Sequence, residues 1–201
     1  MIIDMHMHEM RYSGDSFLRL ENMVEIAKRR GLDGICITDH DSMGLKEFAA
    51  EYSEKTGFPI FVGIEFYSLQ GDIVAFGIED YPKERIPAQE FVDLVQAQGG
   101  MCFSAHPFRN NNRGLEENLK IVKGLDGIEV LNGSTLYEAN RKAAEYAAEL
   151  GLATVGSSDC HVPEKLGIYA TYFPREIRSV QELIRSVKRC ETLPVYYKEG
   201  G

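Results

Sequence analysis

"MIIDMHMH", residues 1–8, carries two of the five histidines in this chain of 201 residues. If it forms a strand, residues two apart point to the same side. Ile2, Asp4, His6 and His8 then share one face, and Ile3, Met5 and Met7 the other. The Met/Ile face suits packing against helices, which leaves both imidazoles on the opposite side. Residues two apart on a strand are separated by roughly 6.5–7 Å, so the two rings can converge on one metal ion. Asp4 is placed to accept a ring N–H and orient a ligand. A lone H-x-H is more often a pair of structural histidines, so the rest of the chain must decide.

"GSSDCH", residues 156–161, repeats the spacing near the other end with Asp159 and His161. "ITDHD" (37–41) supplies His40, and "FSAHPF" (103–108) supplies His106. Every histidine then sits at a strand end and none on a helix. Carboxylates complete the set. Glu65 ends "FVGIE" and is suited to bridge two cations, and Asp15 in "RYSGDS" (11–16) reaches from the loop after the first strand. Five imidazoles and several carboxylates exceed the needs of one tetrahedral zinc. They suit a cluster of two or three divalent ions.

Short apolar runs alternate with longer amphipathic ones, which implies parallel strands with helices outside. Strands are expected at "GICIT", "PIFVGIEF", "DIVAFGI", "MCFSAH", "GIEVLN", "ATVGSSD" and "GIYATYF". Helices are expected at "LENMVEIAKRRG", "GLKEFAAEYSEKTG", "AQEFVDLVQAQGG", "LEENLKIVKGL", "LYEANRKAAEYAAELG" and "SVQELIRSVKRC". An open doubly wound sheet would gather its ligands near one switch point. Polar residues at nearly every strand end instead fit a closed β/α barrel, with first and last strands as neighbours.

Composition is that of an ordinary globular protein, 44% hydrophobic and 26% charged, and the length suits a single domain over residues 1–201. The net charge of −9 argues against an extended nucleic-acid or anionic-membrane surface. It leaves a small anionic substrate open, because bound cations reverse the local field. The four cysteines are widely spaced and read as reduced thiols. No apolar run reaches the ~18 residues of a membrane span, and the N-terminus lacks signal-peptide character. The expected location is the cytoplasm.

Taken in order, "DMHMH", "RYSGDS", "GLDGICITDHD", "GIE", "AHPF", "GIEVLN" and "GSSDCH" resemble the PHP (polymerase and histidinol phosphatase) domain family over nearly the whole chain. The resemblance implies a distorted TIM-like (β/α)7 barrel around a trinuclear centre of Mn, Zn or Fe ions. By position, His6, His8, Glu65 and Asp159 resemble the ligands of one metal. Glu65 and His106 resemble those of a second, and Asp15, His40 and His161 those of a third. One position departs: many relatives have a histidine where "GDIVAFG" has Asp72, an oxygen ligand if it reaches. The span from Glu65 to His106 is also too short for the lid domain inserted in some relatives. The implied activity is hydrolysis of a phosphate ester, a phosphomonoester or small nucleotide or oligonucleotide, by a metal-bridging hydroxide. Glu65, Asp159 and His161 are the catalytic candidates. Arg109, in "AHPFRNNNRG", is a candidate clamp for the substrate phosphate, with Arg113 a lesser one. Glu129 and Asn132 are expected to orient ligands or face substrate. The alternatives are a degenerate metal-binding domain with a structural or regulatory role, and a hydrolase of C–N or C–O bonds.

Overall fold

The computed structural model describes residues 1–196. Ten strands and five α-helices follow in the order β1 (Ile2–Asp4), α1 (Leu20–Arg29), β2 (Gly34–Ile37), α2 (Lys46–Thr56), β3 (Ile60–Val62), β4 (Ile64–Tyr67), β5 (Asp72–Phe76), α3 (Ala88–Ala97), β6 (Met101–Ser104), β7 (Gly127–Asn132), α4 (Tyr137–Leu150), β8 (Ala153–Ser157), β9 (Tyr169–Tyr172), α5 (Val180–Lys188) and β10 (Leu193–Tyr196). The helices form where apolar residues recur at helical spacing. Leu20, Met23, Val24 and Ala27 of α1 are all buried. Among the described residues no helix is long and apolar enough to cross a membrane.

The mixed α/β class is as expected; the closed seven-stranded barrel is not what the ladders form. They make two five-stranded sheets, β10-β9-β1-β2-β3 and β4-β5-β6-β7-β8. β5 runs antiparallel to both its neighbours, and β9 antiparallel to both β1 and β10. Between the sheets there are isolated parallel bridges, Met7 with Cys160 and His40 with Glu65. The run "PIFVGIEF" does not form one strand, because the chain passes from one sheet to the other at Gly63. A Cβ there would lie 2.4 Å from the Ala75 carbonyl and 2.7 Å from the Phe76 ring, so only glycine fits. β10 lies beyond the expected strands. "LEENLKIVKGL" is no α-helix but a 3-10 turn over Glu116–Lys120. Its Leu115, Leu119 and Val122 mimic helical spacing, yet Glu116 sits at φ 48° and breaks the run.

Two apolar clusters lie beneath the helices, and a third fills the space between the sheets. This interior cluster joins Ile3, Val74, Phe103, Val155, Phe173 and Leu183. Met5 belongs to it, whereas Met7 packs with α1 residues. The expected common Met/Ile face is therefore split. β1 ends at Asp4, and beyond it the backbone leaves strict alternation while carrying His6 and His8 over the interior cluster.

Candidate metal centre

The loops after β1 and β8 zip together: Asp159 N–H donates to the His6 carbonyl at 2.9 Å and His8 N–H to that of Cys160 at 3.2 Å. This brings both histidine–aspartate segments to one mouth. His40, just beyond β2, joins them through the bridge to Glu65 on β4. His106 follows β6. Asp72 opens β5 rather than ending it, and because that strand runs antiparallel its start faces the same mouth. Asp159 (φ 48°) and His106 (φ 27°) occupy the sparsely populated left-handed region, the kind of local backbone strain that clusters at functional sites.

Four overlapping groups place ligand atoms within 4.8 Å of one another: His8, His40 and His161; His6, His106 and Asp159; His6, His8 and Glu65; and Glu65, Asp72 and His106. Asp15 completes the set, its Oδ2 lying 3.3 Å from Nε2 of both His40 and His161. All nine residues read from the sequence as ligand candidates thus meet at one place.

Ionised carboxylates dominate the field at this mouth. Burial disfavours charge on His6, but Asp159, Glu65 and Glu129 outweigh it and raise its pKa well above normal. Burial pushes His8 down to about 4, leaving it neutral. For Glu65, burial is overcome by the charge of His6, a hydrogen bond from His106 and the close approach of His40, and its pKa falls well below normal. Asp159 is likewise held low, against burial, by His6, His8 and Arg109. Nε2 of His6 and Nε2 of His8 face each other at 3.1 Å, where at most one proton fits between them. His40 Nδ1 lies 2.7 Å from Glu65 Oε2 without the alignment of a hydrogen bond, and His106 Nδ1 is buried without a partner. Imidazole nitrogens and ionised carboxylates converging this closely fit divalent transition-metal ions.

Three similarities bear on identity. A family model described as PHP-associated matches residues 137–192. An uncharacterized protein of Methanocaldococcus jannaschii is 28% identical over 64% of this chain and 80% of its own length. A protein of Caldicellulosiruptor saccharolyticus named a probable phosphatase is 24% identical over 99% of this chain and 78% of its own. Together they support a relationship to the PHP family, the family-model match lying in the last third of the chain. Among solved structures, a "putative metal-dependent phosphoesterase" from Bifidobacterium adolescentis shares this chain's fold. It superposes with a TM-score of 0.68 at 20% identity, covering 80% of this chain and 88% of that one.

Within this site several residues have partners the sequence did not foretell. Asp72 is fully buried, and Arg113 grips it with two hydrogen bonds, Nε to Oδ2 at 2.6 Å and Nη2 to Oδ1 at 2.9 Å. Its Oδ2 is also 3.7 Å from His106 Nε2. Arg109 donates to Asp159 Oδ2, to Asn132 Oδ1 at 2.7 Å and to Thr135 Oγ1 at 3.2 Å. It is therefore docked on a ligand candidate rather than reaching free into the cleft. Asp4 accepts no ring N–H; it takes backbone N–H groups of Ser158 (2.9 Å) and Gly167 (3.0 Å), tying β1 to the loops after β8. The orienting carboxylate is Glu129 instead. It faces His6 Nδ1 at 3.2 Å and accepts from His106 N–H at 2.7 Å and Asn132 Nδ2 at 2.9 Å. Ser13 and Asp39 were not singled out as orienting groups, though both lie inside the quoted motifs.

Proposed function

We propose that this chain is a metal-dependent phosphoesterase of the PHP family that hydrolyses a small phosphorylated substrate. The observation that carries the reading is the set of four overlapping ligand groups sharing Glu65, His6 and His8. The relative named a probable phosphatase supports the reaction class. We take residues 1–201 as a single domain working in the cytoplasm, with two or three ions of Mn, Zn or Fe.

His6, His8, Glu65 and Asp159 would hold one ion, Glu65, His106 and Asp72 a second, and Asp15, His40 and His161 a third. Bound divalent cations supply a water of lowered pKa and positive charge against the phosphate oxygens. Glu129 accepts the Nδ1 proton of His6 and so keeps Nε2 free to bind. Arg109, partly exposed beside Asp159, offers its guanidinium edge to a phosphate oxygen entering the mouth. Arg113 offsets the charge of Asp72, which suits that side of the site to an anion even when fewer ions are bound.

The test is turnover of phosphomonoesters and phosphodiesters by protein reconstituted with Mn²⁺, Zn²⁺ or Fe²⁺. Hydrolysis that EDTA abolishes supports the reading, and inactivity toward all of them under every metal sinks it. The grip of Arg113 on Asp72 favours a second reading, a domain that binds metal without turnover. Under that reading Asp72→His gains activity that the parent lacks.

A further inference from the structure

We propose that Lys165, beside the Ser134 hydroxyl, forms a subsite for a second oxyanion of the substrate, a carboxylate or phosphate set apart from the phosphorus under attack. The inference rests on the phosphoesterase reading and names a feature of its substrate, yet binding alone tests it.

Three arginines of the mouth loops are already matched with carboxylates. Arg11 lies 3.7 Å from both Glu9 and Glu21, Arg109 sits on Asp159, and Arg113 grips Asp72. Arg85 is turned to the Ser68 carbonyl at 2.8 Å and to the face of the Tyr67 ring. Lys165 differs. Its Nζ donates to Ser134 Oγ at 3.2 Å, and among the described residues no carboxylate lies within 4.0 Å of it. An ammonium has three protons to donate. Ser134 takes one, and the serine's own proton goes to the Asp159 carbonyl at 3.3 Å. Two N–H groups of a half-buried cation are thus left without a protein acceptor among the described residues.

The backbone that carries this lysine is fixed. Lys165 closes a 3-10 turn over Pro163–Lys165. The carbonyls on either side of it, of Glu164 and Leu166, both accept from Arg30, and Gly167 N–H is bound by Asp4 at 3.0 Å. Ser134 is seated as firmly. Its N–H donates to Asn132 Oδ1 at 2.8 Å, the oxygen that also takes Thr135 Oγ1 at 2.9 Å and Arg109 Nη2 at 2.7 Å. The loops after β6, β7 and β8 thus set Arg109, Thr135, Ser134 and Lys165 along one wall of the mouth. Arg109 touches the carboxylate of Asp159, whereas Lys165 reaches only the backbone of that residue, through Ser134. The lysine stands one group further from the ligand candidates than the arginine, so an oxyanion on Lys165 is distinct from one held at the ions. An ammonium on a flexible stem reads charge rather than planar shape, so carboxylate and phosphate both qualify.

The experiment is calorimetric binding of non-hydrolysable phosphonates to Mn²⁺-loaded, full-length protein. The probes are phenylphosphonate, with one anionic group, and its 2-, 3- and 4-carboxy derivatives, with two. At least one carboxylated probe is expected to bind about tenfold more tightly than phenylphosphonate. Lys165→Ala should remove that preference and leave the affinity for phenylphosphonate within about twofold, while Lys165→Arg should keep the preference. Lys165→Gln, which lacks the charge but can still donate to Ser134, should give the same loss and decides the matter if Lys165→Ala folds poorly. Equal affinities of all four probes for the parent protein, or no measurable binding of any, overturn the proposal. So does a preference that survives in the folded variants, or a loss shared by all four probes, which would place the lysine at the ion-bound phosphonate. If the preference and its loss are seen while no phosphate ester is turned over with any metal, the phosphoesterase reading fails and the subsite stands.

Discussion

The two halves of the mouth are built from different materials. On one side His40, His161 and Asp15 stand 25%, 24% and 60% exposed in their side chains. On the other, Glu65, Asp72 and His106 are at most 2% exposed, and Arg113 already pairs with one of them. His6, His8 and Asp159 lie buried between. The open half is two half-exposed imidazoles with one exposed carboxylate. The closed half is carboxylate-rich and arrives with a positive charge of its own. Similar ligand atoms in these two settings meet different electrostatics: a cation on the open side gains charge compensation, while one on the closed side meets a guanidinium at Asp72. The difference teaches that the buried Asp72 carboxylate is compensated by Arg113, not left as an unpaired charge.

The largest effect is expected where both halves meet. Glu65 contacts His6, His8, His40 and His106. Glu65→Gln should lower kcat/KM for phosphoester hydrolysis by about 10³-fold or more, a few kcal/mol of transition-state stabilisation; steady-state kinetics with saturating metal checks it. Next, Arg113→Ala strands the buried Asp72 carboxylate. Denaturant unfolding in EDTA should show a loss of about 3–5 kcal/mol, partly reversed by Mn²⁺. A loss under about 1 kcal/mol would show that Asp72 is not committed to Arg113. Glu129→Gln weakens the orientation of His6 and should reduce Zn²⁺ affinity about 10–100-fold by calorimetry. The smallest effect belongs to the exposed side. Asp15→Asn keeps an oxygen that can still ligate and loses a charge that solvent screens, so affinity should change by no more than about fivefold. If Asp15→Asn outweighs Glu129→Gln, the contrast between open and closed halves is wrong.

The clustered histidines and carboxylates were legible because imidazoles are few and their placement is periodic. His6, His8, Asp159 and His161 announce themselves by spacing, and the structure brings both pairs to one mouth. The α/β class was legible for the same reason, from alternating apolar runs. Strand direction was not. β5 and "PIFVGIEF" read as further parallel strands, since periodicity is blind to polarity and to a kink at one glycine. Gly63 carries no signal in its neighbours; its need shows only once Ala75 and Phe76 press against it. Partnerships across long separations were hidden too. Asp4 looked like the orienting carboxylate because it is near His6 in sequence, whereas Glu129 holds that place through strand pairing. Arg113 sat among asparagines in a segment that reads as a solvated loop, and its grip on Asp72 arises only where that loop folds back over β5.

The central claim is that open and closed halves together form one divalent metal centre, and metal content tests it most directly. Purified protein reconstituted with excess Mn²⁺, freed of unbound ions and measured by plasma mass spectrometry, should carry two to three ions per chain. Fewer than one ion per chain would contradict the account.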